Sequence, residues 1–169
     1  MRKIIGCILV VLSGLLFSLQ WILRQKAKLE NLKEMQKALF LMKQEISFSG
    51  AVLAEITNSI GLRVNGDVGR FFREMSEILS LNETASLLDC YQKAQDTKPL
   101  LSLQAERTLE DFFASAGTFS KSVEEVHIDR TITRLVALEQ EATETLMKEK
   151  KFSVTLGLCA SFSVVMILI

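Results

Sequence analysis

Both ends of the chain are long apolar runs without a charged side chain, at residues 4–23 and 152–169. As helices they would extend roughly 30 Å and roughly 27 Å, which matches the hydrocarbon core of a bilayer. A cleavable signal peptide is the alternative for the first run, but the run is too long and no A-x-A-like site precedes Arg24. A buried core helix is the alternative for the second run, but such helices usually have a polar face. The sequence therefore predicts one transmembrane helix at each end.

The charges beside the two runs predict the orientation. Only Arg2 and Lys3 lie before the first run, whereas six cations lie on the inner sides of the two runs: Arg24, Lys26, Lys28, Lys148, Lys150 and Lys151. Positively charged flanks stay in the cytoplasm. We therefore expect the central region to be cytoplasmic and both termini to lie on the opposite side. We also expect these membrane-proximal basic residues to contact anionic lipid head groups.

Each apolar run contains two small residues four positions apart, Gly14 with Ser18 and Gly157 with Ser161. Small residues at this spacing allow helices in a bilayer to approach closely. We therefore predict that these four residues are transmembrane packing positions. The sequence leaves open whether the spans pack on each other, on another subunit or on a second copy in a homo-oligomer.

The sequence divides into an N-terminal transmembrane helix (1–24), a cytoplasmic helical bundle (25–151) and a C-terminal transmembrane helix (152–169). The middle part contains apolar residues at helical spacing in six segments. An up-and-down bundle whose first helix leaves the membrane and whose last helix returns to it needs an even number of helices. The predicted fold class is therefore all-α, an up-and-down bundle of about six helices whose first and last helices extend into the transmembrane spans.

Local signals predict several helix boundaries. Gly61 is expected to close the second helix, and Ser80 with Glu83 has the spacing of a capping box at the start of the fourth. Pro99 suits the first turn of the fifth helix. Ser120 or Ser122 is expected to cap the sixth.

Residue types that carry catalysis are sparse. Lys and Arg number 20, as do Asp and Glu, so no overall charge or basic stretch favours nucleic-acid binding. His127 is the only histidine, and a solvated or locally bonded imidazole is a better interpretation than a metal ligand. The three cysteines have neither disulfide-framework nor metal-site spacing. We predict no catalytic, cofactor-binding or metal-binding residues, and hence no enzyme.

Three acidic residues of the sixth segment are interpreted as an exposed, solubilising face rather than as a catalytic pair. They are Glu139, Glu141 and Glu144.

The chain resembles the stage III sporulation protein AB family of endospore-forming Firmicutes over essentially its whole length. The first segment, Leu32-x6-Leu39-x2-Met42-x2-Glu45-Ile46-x-Phe48, is similar to the family's leucine-rich segment, which ends in an acidic-Ile-x-aromatic step. The later matching positions are Phe71-Phe72, the stretch from Gly117 to His127-Ile128, Leu135, Glu139, Ala142 and Leu156-Gly157. The chain departs from the family pattern at Ala116, Ser120 and Glu125.

The resemblance implies a subunit of a secretion-like complex in the mother-cell membrane around the forespore. The cytoplasmic domain would be similar to the F-type platform domain of type II secretion and type IV pilus systems. The implied partners are the cytosolic AAA-like sporulation ATPase, stage III sporulation protein AA, and other membrane subunits of the complex. The expected role is to dock that ATPase to the membrane. The alternative is a free-standing helical membrane regulator or oligomerising scaffold without a motor.

The partner-binding face is predicted on the charged outer faces of the first and last helices. The candidate residues are Glu30, Lys33, Glu34, Lys37, Arg130 and Arg134.

Overall fold

The computed structural model describes residues 2–48, 52–81, 86–95, 100–116 and 121–168; at 2–19, 21, 121–122 and 149–168 it describes only the backbone. The described residues form six α-helices and no strand, as predicted. The helices are α1 (Arg2–Phe48), α2 (Leu53–Arg63), α3 (Gly66–Leu81), α4 (Leu87–Ala94), α5 (Leu103–Ser115) and α6 (Lys121–Leu168).

The chain forms two compact units, one of residues 28–140 and one of residues 1–27 together with 141–169. Among the described side chains, no helix stretch is both long enough and apolar enough to cross a bilayer. The predicted spans at 4–23 and 152–169 lie almost wholly outside those side chains, so they stay predictions. The first and last helices do extend through these stretches as continuous backbone helices.

Polar contacts fix the direction of the helices within the unit 28–140. Lys43 Nζ lies 2.7 and 2.6 Å from the carboxylate oxygens of Asp129, and Ser47 Oγ donates to Glu125 Oε1 at 2.6 Å. Residue numbers rise along α1 while they fall along α6, so the two helices are antiparallel. We name the end of this unit that contains residues 28 and 140 the near end, and the end that contains Phe48 the far end.

Two interhelix connections lie at the near end. The backbone N–H of Asn65, between α2 and α3, donates to Glu34 Oε2 at 3.2 Å. The Asn31 side chain donates to the carbonyl of Leu100, just before α5, at 3.0 Å. The end of α1 and the start of α6 meet at the far end, where Ser47 contacts Glu125. This alternation is the predicted up-and-down order.

The core collects the inward stripes of all six helices, and an aromatic row links three of them. The Phe71 ring contacts Phe72 edge-on at 5.4 Å between centroids and Tyr91 at 5.6 Å. Tyr91 stacks on Phe113 at 4.9 Å, and Phe113 contacts Phe112 at 5.0 Å. Aromatic pairs in these geometries add stabilisation beyond the apolar area that they bury, so α3, α4 and α5 are fastened together in the middle of the unit.

Gly61 does not close α2, because the helix continues to Arg63. A Cβ on Gly61 would lie 3.0 Å from the carbonyl oxygen of Gly69, and one on Gly69 would lie 2.1 Å from that of Val64. The glycines are therefore required by the close approach of α2 and α3. The turn between these helices uses Gly66 at φ +68, a backbone conformation that glycine adopts readily.

Two other predicted boundaries are wrong. Ser80 lies inside α3, where its hydroxyl donates to the Ser76 carbonyl, and α4 is capped instead by Ser86, whose side chain accepts from Asp89 N. α5 begins after Ser102 and not at Pro99. For α6, which begins at Lys121, Ser122 lies inside the helix. The alternative cap, Ser120, lies outside the described residues and stays a prediction.

Candidate functional site

The predicted membrane-proximal basic residues lie on the two long helices. Arg24, Lys26 and Lys148 are exposed and Lys28 is half-buried. Lys148 lies 3.9 Å from Glu144 one turn earlier, a pair worth only a few tenths of a kcal/mol. The side chains of Lys150 and Lys151 and the predicted packing positions Gly14, Ser18, Gly157 and Ser161 lie outside the described side chains.

The predicted partner face is partly occupied by contacts within the chain. Glu34 is half-buried, accepts from Asn65 N and lies 3.6 Å from Lys37 Nζ. Lys33 Nζ lies 3.9 Å from Glu139 of α6. Glu30, Arg130 and Arg134 are exposed. The α1 part of this face thus contributes to holding the turn after α2 and the α6 helix in place, and its role in partner binding stays a prediction.

Glu139 is not simply part of a solubilising face, because it belongs to the contact between α1 and α6. Its Oε2 accepts from the Gln36 side-chain amide at 2.9 Å. Glu141 and Glu144 are exposed, as expected. His127 is half-buried, and its backbone carbonyl accepts from Thr131 Oγ1 at 2.9 Å.

The described residues contain no group of three or more histidine, cysteine, aspartate or glutamate side chains placed to hold a metal ion. Cys90 is fully buried, and burial raises the pKa of its thiol. A raised pKa lowers the thiolate fraction at neutral pH and so works against nucleophilic chemistry. Cys90 is therefore a core residue.

Large apolar side chains are exposed at the far end of the unit 28–140. Phe48 ends α1 with 90% of its surface exposed, and Leu81 ends α3 with 85% exposed. Val52 precedes α2 with 68% exposed, and Val123 lies in the first turn of α6 with 44% exposed. We name these four residues the apolar end patch. Sequence analysis did not identify it, although Phe48 stands directly before the breakers Ser49-Gly50.

Charge is divided unevenly along the same axis. If each helix of the unit 28–140 is divided at its midpoint, the described side chains of the far half carry ten carboxylates and two cations. The carboxylates are Glu45, Glu55, Glu74, Glu77, Asp89, Glu110, Asp111, Glu124, Glu125 and Asp129, and the cations are Lys43 and Arg130.

The near half has the opposite balance, with nine cations and five carboxylates among its described side chains. The cations are Lys28, Lys33, Lys37, Arg63, Arg70, Arg73, Lys93, Arg107 and Arg134, and the carboxylates are Glu30, Glu34, Asp67, Glu106 and Glu139. The near halves of the helices are therefore net basic and the far halves net acidic, and Arg63 and Glu45, from opposite halves, form a salt bridge at 3.2 Å.

Comparison with known proteins identifies the family. A solved structure titled stage III sporulation protein AB matches with a TM-score of 0.64 at 19% sequence identity, over 72% of this chain and 97% of that chain. At this identity the likeness shows the fold. No curated protein sequence matches the chain. The family model described as stage III sporulation protein AB matches residues 3–169. Because that match covers nearly the whole chain, the chain belongs to the stage III sporulation protein AB family of sporulation proteins.

Proposed function

We propose that this chain is the membrane-anchored platform of a secretion-like sporulation complex, and that it docks the complex's cytosolic ATPase to the membrane. The observation that carries the proposal is the family match, which extends over residues 3–169 and so includes both apolar ends as well as the bundle. A sporulation protein of this family implies an endospore-forming bacterium. The proposed location is the mother-cell membrane around the forespore.

The arrangement of the helices supports this role. In the proposal, the apolar ends of α1 and α6 cross the membrane, and the antiparallel parts of the same helices carry the bundle into the cytoplasm. The backbone of α1 and that of α6 are each one helix that extends from the bundle into the apolar end without an intervening loop.

A platform needs interaction surfaces rather than a reaction centre, and the family is a sporulation assembly family rather than a known enzyme family. The proposed partners are stage III sporulation protein AA and other membrane subunits of the complex. The free-standing regulator or scaffold is the competing proposal. It requires self-association and no motor.

Co-purification tests the proposal. The full-length protein, affinity-tagged and solubilised in mild detergent, is mixed with purified stage III sporulation protein AA and captured on resin. We expect the ATPase to be retained, and to be lost when the bait is replaced by an unrelated protein with two transmembrane helices. If the bait is helical by circular dichroism and retains no ATPase, the regulator or scaffold replaces the platform.

A further inference from the structure

We infer that the far end of the unit 28–140 is the surface that binds the cytosolic partner, and that this partner presents an apolar pocket surrounded by lysine and arginine side chains. The inference rests on the proposed function, because it assumes a partner on the cytosolic side. It adds where that partner binds and the chemistry by which it is recognised.

The four side chains of the apolar end patch lie at the far end of the unit 28–140. The hydrogen bond from Ser47 to Glu125 joins the end of α1 to the start of α6, next to Phe48 and Val123. The hydrogen bond from Ser76 Oγ to the carbonyl of Ala54, 2.7 Å long, joins the end of α3 to the start of α2. Leu81 and Val52 therefore both lie on the far-end side of that contact.

Among the described side chains, the far end exposes these four large apolar residues, against Leu62 and Leu103 at the near end. Single exposed apolar side chains are common, but several large ones at one end indicate an interaction site. Phe48 stands out because aromatic side chains are enriched at the centres of protein interfaces and supply much of their binding energy. The patch is exposed in the isolated chain, so a partner could bury it without first unfolding a helix.

The charge around the patch selects the partner. Ten carboxylates and two cations in the described far half create a negative potential, which attracts a basic surface and repels an acidic one. A second copy bound through the same end would bring the two acidic halves together. An anionic lipid surface would be repelled for the same reason. A basic protein surface is the complementary occupant.

Matched charge reversals test the inference. Glu77→Lys changes the charge beside Leu81, one turn further along α3, whereas Glu30→Lys makes the same change in the near half, on the face predicted from sequence. Both glutamates occupy α-helices, and Glu77 and Glu30 are exposed. Each full-length variant is placed in nanodiscs of neutral lipid and titrated with stage III sporulation protein AA at several salt concentrations.

A second pair of variants tests the apolar contribution. Phe48→Ser with Leu81→Ser removes apolar surface at the far end, and Leu62→Ser with Leu103→Ser removes it from two leucines that are 70% and 66% exposed near the other end. Because all four side chains are mostly exposed, their replacement should leave folding intact. Circular dichroism confirms that each variant is helical.

We expect both far-end variants to bind the ATPase about tenfold or more weakly than the wild type, both near-end controls to bind within about twofold, and wild-type affinity to fall as salt rises. If the wild type binds but the near-end variants alone lose affinity, the inference is wrong while the proposed platform stands. If all four variants bind like the wild type, the inference is likewise overturned. If the wild type binds no ATPase, the proposed function is wrong, and the inference about the far end falls with it.

Discussion

Two neighbouring buried side chains, Tyr91 of the aromatic row and Cys90, respond to high pH. Burial raises the pKa of the Tyr91 phenol above its ordinary value near 10, with a smaller contribution from Glu106 and Glu110. The unfolded chain loses this proton near pH 10 while the folded chain keeps it, so the unfolded state then binds fewer protons. The free energy of unfolding therefore falls as the pH rises above about 10. The thiol of Cys90, whose pKa is also raised by burial, causes the same kind of decline from about pH 8.5.

Replacing Tyr91 with phenylalanine tests this dependence. Tyr91→Phe keeps the ring that stacks on Phe113 and removes only the hydroxyl, which lies 3.5 Å from the Glu106 carbonyl. We expect little change in stability at pH 7 and a shallower loss above pH 10, measured by urea unfolding at each pH. Because the chain has one tyrosine, phenolate absorbance reports on Tyr91 alone. Identical pH profiles for both proteins would contradict the prediction.

Gly69 allows two opposite expectations to be compared. Helix propensity alone predicts that Gly69→Ala stabilises by about 1 kcal/mol. The added Cβ, however, would lie 2.1 Å from a backbone oxygen of Val64, which no side-chain rotation relieves. Overpacking of this kind costs roughly 1–3 kcal/mol, so we expect a net loss of stability and a lower Tm.

Asn58→Ala in α2 is the matched control for Gly69→Ala, because Asn58 is exposed and alanine favours the helix there. Thermal unfolding by circular dichroism should show a Tm equal to or above that of the wild type for this control. A Tm increase in Gly69→Ala would mean that α2 and α3 do not approach as closely as described.

At the scale of single elements, α1 and α6 are joined outside the core by polar contacts rather than by further apolar side chains. The closer of the two described ion pairs between these helices is that of Lys43 with Asp129; Lys43 is half-buried and Asp129 is exposed. A double-mutant cycle with Lys43→Ala and Asp129→Ala should therefore give a coupling of only about 0.5–1 kcal/mol. The control cycle on Arg70 and Asp67, 3.6 Å apart within α3, should give less than about 0.5 kcal/mol. Equal coupling energies would show that the ion pair between α1 and α6 stabilises the contact between these helices no more than a pair within one helix stabilises that helix.

Helix number and inward stripes could be predicted from the sequence, because apolar spacing averages over many residues. The predictions of helix boundaries were wrong where two local signals compete. A serine followed three residues later by an acidic residue occurs at Ser80-Glu83 and again at Ser86-Asp89. The stripe through Ile78 and Leu79, packed against the core, extends α3 past the first of these signals. Gly61 also resembled a helix stop in the sequence. Its actual role, allowing α3 to approach α2 closely, becomes visible only when the opposing helix is in place.

At the scale of the whole molecule, the far-end surface could not be predicted because it depends on the direction in which each helix runs. The sequence shows acidic and basic residues mixed along every helix, and the charge separation emerges only when alternate helices are reversed. In the same way, Phe48 and Leu81 lie more than thirty residues apart in sequence, and the up-and-down order is what places them at one end. The exposure of Glu30, Arg130 and Arg134 could be predicted from sequence because exposure on a single helix needs no such information; their role in partner binding stays a prediction.

The proposed orientation makes the far end a reporter of topology. In Phe48→Cys the new thiol would be highly exposed, whereas the native Cys90 is buried and Cys7 and Cys159 lie in the predicted spans. The predicted orientation rests on the six cations on the inner sides of the apolar runs, which favour a cytoplasmic bundle. When the protein is expressed in vegetative cells, a membrane-impermeant maleimide should therefore label Phe48→Cys only after the cytoplasmic membrane is permeabilised. Ile169→Cys, the control at the other side, should be labelled in intact spheroplasts. Labelling of Phe48→Cys in intact spheroplasts would show that the orientation is the opposite of the predicted one. The acidic far end would then lie where no cytosolic ATPase could reach it.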